Sequence, residues 1–483
     1  MRNFWQKYRV EIILFILLTI CYDYIWQQPS WNDLGRYDLI MAIVEQGTVC
    51  INAYHQNTGD KALYNGNYYS DKGPAPAFLG VPIYWFLNYL QAAAGFSDGF
   101  SCLGRTVNLL LWFAKLVIIR ILVISIPSAL LAVFLYRFLL RLGTNQKLAL
   151  LLIIGYSLGT LAFPYSTLFY GHQLATTFIF ISFFILYDMK HRERPISYPT
   201  SCMLYLTSGF LSGLAILTEY PVVLLVAVLC IYGFSIRNPQ SLIRNIPWFI
   251  LGFAGPIAVL FYYNYLCFGI PFTFGYFSVA DETFRREMAK GIAGVTYPKP
   301  EALLGITFSA YRGLFFINPL LFLSIFGFYY FYKTQKYRRE FWSSIVAVMV
   351  FLLFNASYYM WWGGWTIGPR HLVPIIPFLI IPISFIPFET SKYFKPYLLY
   401  TLSIVSMLFM FIGTVVDPQV PDTIRRLSWS PLFGYSLPKF LSGNIYANLG
   451  IAFGLTGMTS TLPLLLIIII GTYYLFSLLK KSE

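Results

Sequence analysis

Residues 112–136 read WFAKLVIIRILVISIPSALLAVFLY, an almost wholly apolar run that is long enough to cross the hydrocarbon core of a bilayer. Similar runs recur along the chain, and together they number about twelve. They lie at residues 10–26, 112–136, 148–162, 165–187, 203–218, 221–236, 247–267, 313–332, 342–359, 371–387, 397–415 and 461–479. The sequence therefore predicts an all-α polytopic membrane protein, in which residues 1–483 form one transmembrane domain of about twelve helices.

A further apolar stretch, at residues 76–95, contains Pro76, Pro82, Asn88 and Gln91. We predict that it forms a helix at the membrane interface rather than a thirteenth span. A thirteenth span would also reverse the orientation of every later segment, and the charge pattern argues against that.

The composition excludes a soluble protein. Of the 483 residues, 58% are hydrophobic and 11% are charged, whereas soluble domains carry roughly 25% charged residues. A net charge of +14 is compatible with nucleic-acid binding. However, the basic residues form short clusters between apolar runs, which is the pattern that orients membrane proteins. We therefore expect no nucleic-acid partner.

Short basic connections all fall on one side of the predicted membrane. They contain 19 of the 34 Lys and Arg residues and lie at residues 1–9, 137–147, 188–199, 237–246, 333–341, 388–396 and 480–483. By the positive-inside rule, both termini are then cytoplasmic. The outer side receives the first outer segment (residues 27–111) and the loops at residues 268–312, 360–370 and 416–460.

The first outer segment contains residues 31–47, WNDLGRYDLIMAIVEQG. Their apolar residues follow helical spacing, which predicts a short amphipathic helix on the membrane surface. Asp33 comes just before this helix, so one interpretation is a simple N-cap. Asp71 and Lys72 precede a Gly-Pro break, and the simplest interpretation of this pair is a solvated salt bridge.

The same segment resembles the GT-C superfamily of membrane glycosyltransferases, in the branch of protein O-mannosyltransferases and aminoarabinose transferases. That branch has a D-E-x-R-Y pattern after its first span and a Y-x-x-K-x-P pattern further along. The present chain reads DLGRY at residues 33–37 and YSDKGP at residues 69–74. It departs from the family pattern at Leu34, which replaces the second acid, and at Gly73, which replaces the first proline.

The resemblance implies a GT-C fold and an enzyme that transfers a sugar from a polyprenyl-phosphate donor to an acceptor at the outer leaflet. By this alignment Asp33 is the catalytic carboxylate, which removes the proton of the acceptor hydroxyl. Asp38 is the competing acid. A single carboxylate and direct displacement predict inversion at the anomeric carbon. Lys72 corresponds to the lysine that contacts the lipid phosphate.

Later stretches also look like bacterial members of the superfamily. They are FPYSTLFYGHQ at residues 163–173, LTEYP at 217–221, YRGLFFINP at 311–319 and WWGGWTIGPRHLVP at 361–374. Several outward cations qualify to hold the charge of the leaving phosphate. These cations are Lys72, Arg312, Arg370 and Arg36. For each of them the alternative is a side chain that snorkels at the end of a span.

The remaining residues assigned to the substrate pocket are Asp71, His172, Glu219 and Tyr69. Ionisable groups near the membrane mark functional cavities more often than chance. For His172 and Glu219 the alternative is a hydrogen bond that braces two helices.

The sequence therefore predicts a glycosyltransferase of the bacterial inner membrane, with its active site on the periplasmic or extracellular face. We expect a polyprenyl-phosphate sugar, an envelope acceptor and the lipid bilayer as partners, and a monomer. No cofactor is required, and a divalent metal shared by Asp33 and Asp38 has no motif to support it. An O-antigen ligase or polymerase remains an alternative, as does a non-enzymatic flippase or transporter of lipid-linked sugars.

Overall fold

The computed structural model describes residues 2–95, 101–102, 105–106, 109–192, 196–234, 239–426 and 429–480. Helices dominate, because a helix satisfies its backbone hydrogen bonds internally. In chain order they are α1 (Arg2–Asp23), α2 (Trp31–Gln46), α3 (Ala75–Ala93), α4 (Leu109–Arg120), α5 (Ile126–Arg141), α6 (Gln146–Gly159), α7 (Ala162–Ser166), α8 (Gly171–His191), α9 (Tyr198–Thr218), α10 (Val223–Phe234), α11 (Pro239–Phe268), α12 (Glu282–Met288), α13 (Pro300–Thr307), α14 (Leu314–Ile317), α15 (Leu323–Lys333), α16 (Arg338–Ser357), α17 (Ile376–Ile383), α18 (Pro396–Val416), α19 (Leu437–Leu441), α20 (Leu449–Ala452) and α21 (Leu462–Lys480). Two antiparallel hairpins pair β1 (Lys61–Tyr64) with β2 (Asn67–Ser70), and β3 (Ser101–Cys102) with β4 (Arg105–Thr106).

Seven helical segments in the described part of the chain are long and apolar enough to cross a membrane. They are Leu109–Arg141, Gly171–His191, Tyr198–Thr218, Arg244–Phe268, Arg338–Ser357, Pro396–Val416 and Gly457–Lys480. The first is continuous because a five-residue π-helical segment, Ile121–Ser125, joins α4 to α5.

The other predicted spans also fall on helices, but on shorter or more polar ones. Three shorter apolar helices are Gln146–Gly159, Tyr220–Gly233 and Arg370–Ile383. The predicted run at residues 10–26 corresponds to α1, and the run at 313–332 corresponds to α14 and α15. The helical membrane-protein architecture is therefore confirmed, whereas the count of about twelve spans stays a prediction.

The stretch predicted to lie at the interface forms α3, which is not among the seven segments. One face of α3 packs against α2. On the other face Trp85 and Tyr89 are exposed and stack at 6.4 Å between ring centroids. Exposed amphipathic rings suit the boundary between lipid and water, so the interfacial location stays a prediction that this exposed face supports.

Helix α2 is largely buried inside the protein rather than covered on one face only, and its location at the membrane surface stays a prediction. Most of its residues from Asn32 to Ala42 are inaccessible to solvent, because α3 and the β1–β2 hairpin pack against it. Its Tyr37 ring meets Tyr84 of α3 and Trp112 of α4 edge-on, at 5.7 and 5.2 Å between ring centroids. The helix is therefore the centre of a second apolar core and holds its polar residues rigidly.

The β1–β2 hairpin turns at Asn65 and Gly66, whose φ angles of 48° and 78° are typical of a tight Asn-Gly turn. Its register pairs Lys61 with Ser70. The residues just outside this pair, Asp60 and Asp71, are therefore brought to the same end of the hairpin.

Helices α8 and α9 are antiparallel neighbours that serine side chains tie together. The Ser182 hydroxyl lies 2.7 Å from that of Ser208 and 3.0 Å from that of Ser212. Because small residues allow close approach of membrane helices, the start of α8 comes to lie beside the end of α9. This arrangement brings His172 next to Glu219.

Candidate active site

Charged side chains from separate parts of the chain meet beside the first turns of α2. They come from α2, from the base of the β1–β2 hairpin, from the residue that follows α9, and from the loop between α16 and α17. We call this set the charged cluster. Its members are Arg36, Asp60, Asp71, Lys72, Glu219 and Arg370.

Arg36 is wholly buried, and Glu219 balances its charge. Nη2 of Arg36 donates to Oε1 of Glu219 at 3.1 Å, and Nη1 donates to the Asn32 carbonyl oxygen at 3.0 Å. Nδ1 of His172 lies 3.4 Å from the same carboxylate oxygen. Burial raises the pKa of Glu219, although the neighbouring cations, Arg36 foremost, oppose this. Breaking such a pair leaves an uncompensated buried charge, so the pair fixes the positions of three chain segments.

Two glycines permit close approaches around this pair. A Cβ atom at Gly171 would lie 2.4 Å from Oε1 of Glu219 and 3.1 Å from Nη2 of Arg36. A Cβ atom at Gly73 would lie 2.4 Å from the carbonyl oxygen of Thr218. The second contact explains why this chain has glycine where the family pattern has proline, since a proline ring would collide with the end of α9.

Lys72 is held between two carboxylates. Its Nζ lies 3.0 Å from Oδ2 of Asp60 and 3.2 Å from Oδ1 of Asp71. Burial disfavours the charge on Lys72, but the two carboxylates outweigh this effect and raise its pKa. Burial also disfavours the charge on Asp60, yet Lys72 and Arg370 together hold the pKa of Asp60 below its ordinary value. Burial raises the pKa of Asp71, so Asp71 takes up a proton more readily than Asp60.

Arg312 and Arg370 meet at the Gly363–Gly364 turn. Nη2 of Arg312 donates to the Gly364 carbonyl oxygen at 3.2 Å, and Nη2 of Arg370 lies 4.0 Å from where a Cβ of Gly364 would stand. The Arg370 guanidinium also lies over the Tyr170 ring, at 5.7 Å from its centroid. The two predicted phosphate contacts therefore approach each other although they are distant in sequence.

Both arginines have buried N–H groups that donate to no acceptor among the described residues. Nε and Nη1 of Arg312 and Nε of Arg370 are buried and have no hydrogen-bond partner among the described residues. No carboxylate in the described part of the chain forms a salt bridge with either arginine. Burial lowers the pKa of Arg312 to about 10, so its guanidinium still carries its charge at neutral pH.

His172 and a second histidine, His371, line the same region. Their rings meet edge-on at 5.6 Å between centroids. The Nε2 atom of each is buried and lacks a hydrogen-bond partner within the ranges that the structure describes. The rings of Tyr165 and Tyr170 stand 5.6 and 6.0 Å from that of His172. The rings of Tyr165, Tyr170, His172 and His371 thus form an aromatic wall beside the cations. The two Nε2 atoms in this wall remain available for a ligand.

Asp33 lies at the third position of α2, and Ser30 rather than Asp33 is the N-cap. Oδ2 of Asp33 accepts from the backbone N–H and the hydroxyl of Ser30 at 2.9 and 2.7 Å. Oδ1 accepts from the backbone N–H of Phe169 at 2.7 Å. Burial raises the pKa of Asp33, and these hydrogen bonds and the charge of Arg36 partly offset it. The carboxylate is therefore held firmly in one orientation.

Asp33 is linked to the aromatic wall. The Ser30 hydroxyl donates to Asp33 and lies 2.8 Å from the hydroxyl of Tyr170, which can donate to it. Because Arg370 stacks on the same tyrosine, one ring separates the predicted base from the predicted phosphate contact.

Two predicted site residues lie apart from this region. Asp38 is fully buried under Asn57, whose amide donates to it at 3.0 Å, and burial raises the pKa of Asp38 to about 8. Tyr69 packs its ring on Phe268 at 5.6 Å, within the second apolar core. The structure therefore brings together Asp33, Arg36, Asp71, Lys72, His172, Glu219, Arg312 and Arg370, but neither Asp38 nor Tyr69.

Sequence reasoning missed Asp60 and His371. For Asp60 a signal existed, since Asn65-Gly66 is typical of a hairpin turn and a hairpin places Asp60 opposite Asp71. His371 directly follows Arg370, but nothing in the local pattern distinguished it. No three His, Cys, Asp or Glu side chains are grouped for metal binding among the residues described, and the absence of a cofactor stays a prediction.

The whole fold has a known counterpart. The crystal structure of ArnT from Cupriavidus metallidurans bound to undecaprenyl phosphate matches 98% of this chain and 75% of its own, with a TM-score of 0.51 and 14% identity. The chain has the GT-C fold. The apo structure of the same ArnT gives 97% and 75% coverage, 15% identity and a TM-score of 0.48. No protein-family model and no curated protein match the sequence.

The GT-C fold confirms the fold expected from the resemblance at DLGRY and YSDKGP. Because only 14% of the aligned residues are identical, the match shows that the two chains follow a similar path, and it does not assign roles to individual residues. The roles of individual side chains in this protein therefore depend on the contacts described above.

Proposed function

We propose that this protein is a membrane glycosyltransferase that moves a sugar from a polyprenyl-phosphate donor to an acceptor of the cell envelope. The fold supports this proposal, because the matching ArnT structure contains undecaprenyl phosphate. The contacts of the charged cluster and of Arg312 support it independently.

The unpartnered donors of Arg312 and Arg370 are the observation that carries the proposal. A buried N–H without an acceptor is costly, so a ligand that supplies acceptors will bind there. A phosphate monoester supplies several charged oxygens, and guanidinium groups bind these in a bidentate manner. Together with Arg312, the charged cluster has four cations and three carboxylates, which suits one additional anion.

Asp33 is the base in this proposal. Its ionised carboxylate takes the proton of the acceptor hydroxyl while the hydroxyl oxygen bonds to the anomeric carbon. The bond from that carbon to the phosphate oxygen breaks, and its electron pair leaves with the phosphate. Arg312 and Arg370 stabilise the charge that develops on this leaving group. A single displacement inverts the anomeric configuration.

Two carboxylates compete with the phosphate for the charge of Lys72. Its ammonium group already contacts Asp60 and Asp71, so a phosphate gains less from Lys72 than from an unpaired cation. Protonation of Asp71, whose pKa burial raises, would release part of that charge. We therefore assign the stronger phosphate contacts to the two arginines and a supporting one to Lys72.

The proposed location is the bacterial inner membrane, with both termini in the cytoplasm and the charged cluster at the outer leaflet. The distribution of Lys and Arg between the connections supports this orientation. We propose a monomer that needs no metal.

The direct test is binding of undecaprenyl phosphate to the purified protein in nanodiscs, followed by a turnover screen of polyprenyl-phosphate sugars. Arg312→Gln and Arg370→Gln should each weaken binding about 10- to 100-fold, the effect of losing hydrogen bonds to a charged group. Arg286→Gln is the matched control, because Arg286 is exposed and pairs with Glu282 at 2.6 Å. Arg370→Lys, which keeps the charge, should lose less affinity than Arg370→Gln.

Two results would contradict the proposal. One is equal affinity for undecaprenyl phosphate in the wild type and in folded Arg312→Gln and Arg370→Gln variants. The other is a protein that binds the lipid but releases no polyprenyl phosphate from any donor while it moves lipid-linked sugar across the vesicle, which would favour a transporter.

A further inference from the structure

A small cavity lies next to Asp33, and the charged cluster does not line it. It measures about 20 Å³, room for one water molecule. Its polar lining consists of Asp33, Gln27, Thr167 and Arg120, and its apolar lining includes Phe113, Leu116 and Val117 of α4.

The polar groups around this cavity are not satisfied. Nη2 of Arg120 and Oε1 of Gln27 are buried without a hydrogen-bond partner among the residues that the structure covers. Arg120 is 4% exposed and Gln27 is 7% exposed. A buried water normally makes two to four hydrogen bonds to such groups. One water here can accept from Arg120 and donate to Gln27 and to Asp33.

Arg120 occupies an unusual position in its helix. It lies within Leu109–Arg141, a segment long and apolar enough to cross a membrane, and a charged side chain in such a segment is costly and normally serves a function. The π-helical segment starts at the next residue, Ile121, and such segments often occur at functional sites. Nη1 of Arg120 lies 3.3 Å from Oδ1 of Asp23 and donates to the Tyr22 carbonyl oxygen at 3.0 Å. These contacts hold the guanidinium in place beside the cavity.

We propose that Arg120 is a positioning residue for Asp33 and acts through one water held in this cavity. The inference rests on the proposed function, in which Asp33 is the base. The water adds a fourth hydrogen bond to a carboxylate that already accepts three, so the acceptor hydroxyl takes the place of one of these donors when it binds. The guanidinium supplies a positive field that keeps this buried carboxylate ionised and ready to accept the acceptor proton.

Other groups also face Asp33, and none of them replaces Arg120. One is a cation on the same helix and the others are tyrosines of neighbouring segments. The charged or titratable groups around Asp33 are Arg36, Arg120, Tyr165, Tyr170 and Tyr446. Arg36 also favours the ionised form of Asp33, but Arg36 does not line the cavity. Arg120 lines it and has an Nη2 atom without a partner among the described residues. The tyrosines are neutral at physiological pH.

The test isolates Arg120 from its salt-bridge partner. In an Asp23→Asn background, Arg120→Gln should move the protonation midpoint of Asp33 up by about one pH unit, because a nearby cation stabilises a carboxylate by that order. Infrared titration of the protonated carboxyl band measures the midpoint, and the loss of this band in Asp33→Asn assigns it. The acidic limb of kcat/KM for a donor found in the screen should move by the same amount, with the rate recovered at high pH.

The outcomes separate this inference from the proposed function. An unmoved midpoint in the folded double variant overturns the role of Arg120, whatever the turnover. A moved midpoint with a fully active Asp33→Asn variant supports the Arg120 coupling and overturns the proposed base. A rate that falls equally at every pH shows a structural role only, which overturns the inference. If Arg120→Gln does not fold, Gln27→Met, which removes a water ligand, should shift the midpoint in the same direction, and no shift overturns the proposal.

Discussion

The substitution Asp33→Asn tests the chemistry at the start of α2. The carboxylate accepts from two backbone N–H groups, Ser30 on Oδ2 and Phe169 on Oδ1. An amide presents one acceptor and one donor, so it satisfies only one of these N–H groups. Because Phe169 is fully buried and Ser30 is half-buried, the amide oxygen should turn towards Phe169.

The expected cost in stability is about 1.5–2 kcal/mol, the lower part of the range for a lost hydrogen bond to a charged group. Turnover should fall much further, by a factor of about 10²–10⁴, which is typical for loss of a general base. Thermal unfolding in detergent measures the first quantity, and release of polyprenyl phosphate measures the second.

A matched control separates the two effects. Asn145→Ala removes the N-cap of α6, where Oδ1 of Asn145 accepts from the Leu148 N–H at 2.8 Å, and it should cost about 1 kcal/mol. This variant should lose stability but keep its turnover. The reasoning is refuted if Asp33→Asn and Asn145→Ala lose the same stability and the same small fraction of activity.

Two further substitutions probe the surroundings. Gly171→Ala should lower the melting temperature and weaken binding of undecaprenyl phosphate, because the new methyl group displaces Glu219 from Arg36, whereas Gly255→Ala, with no atom within 4 Å of the new Cβ, should change neither. Equal effects of the two glycine variants would contradict this. For Asp38, burial raises the pKa to about 8, so the folded state keeps a proton that the unfolded state releases above about pH 4. This stabilisation is present at low pH and is lost as the pH rises through about 8, so Asp38→Asn should raise the melting temperature more at pH 9 than at pH 5. The same gain at both values would be evidence against a buried neutral carboxyl, and loss of turnover in Asp38→Asn alone would make Asp38 the base.

The sequence predicted the helical architecture because span-length apolar runs are a local signal. It did not predict the burial of α2, since the apolar spacing of Tyr37, Ile40 and Met41 indicates one covered face and does not reveal that the hairpin covers another. In the sequence, only the Asn65-Gly66 turn of that hairpin can be recognised. The capping residue was also misplaced by three positions, because Ser30 and Asp33 both suit a helix start.

For the site, the sequence identified charges but not their pairing. Lys72 was predicted as a phosphate contact, and its two carboxylate partners depend on the register of β1 with β2. Arg312 and Arg370 converge through the Gly363–Gly364 turn, whose left-handed backbone (φ 82° and 67°) is a tertiary feature. The sequence does not separate Asp38 from Asp33 as a candidate base, because both lie in the same short segment, but the helix directs their carboxylates to Asn57 and to Phe169 respectively.

The contact between Gly73 and the carbonyl oxygen of Thr218 has a mechanical consequence. The two backbones touch with no side chain between them, so neither can slide past the other without a steric clash. The loop that carries Lys72 and the end of α9 that precedes Glu219 therefore cannot move closer together. Among the described residues, no glycine makes a comparable contact between these two segments and the one that carries Arg312, so a site that opens to admit a lipid has more freedom to move on the Arg312 side.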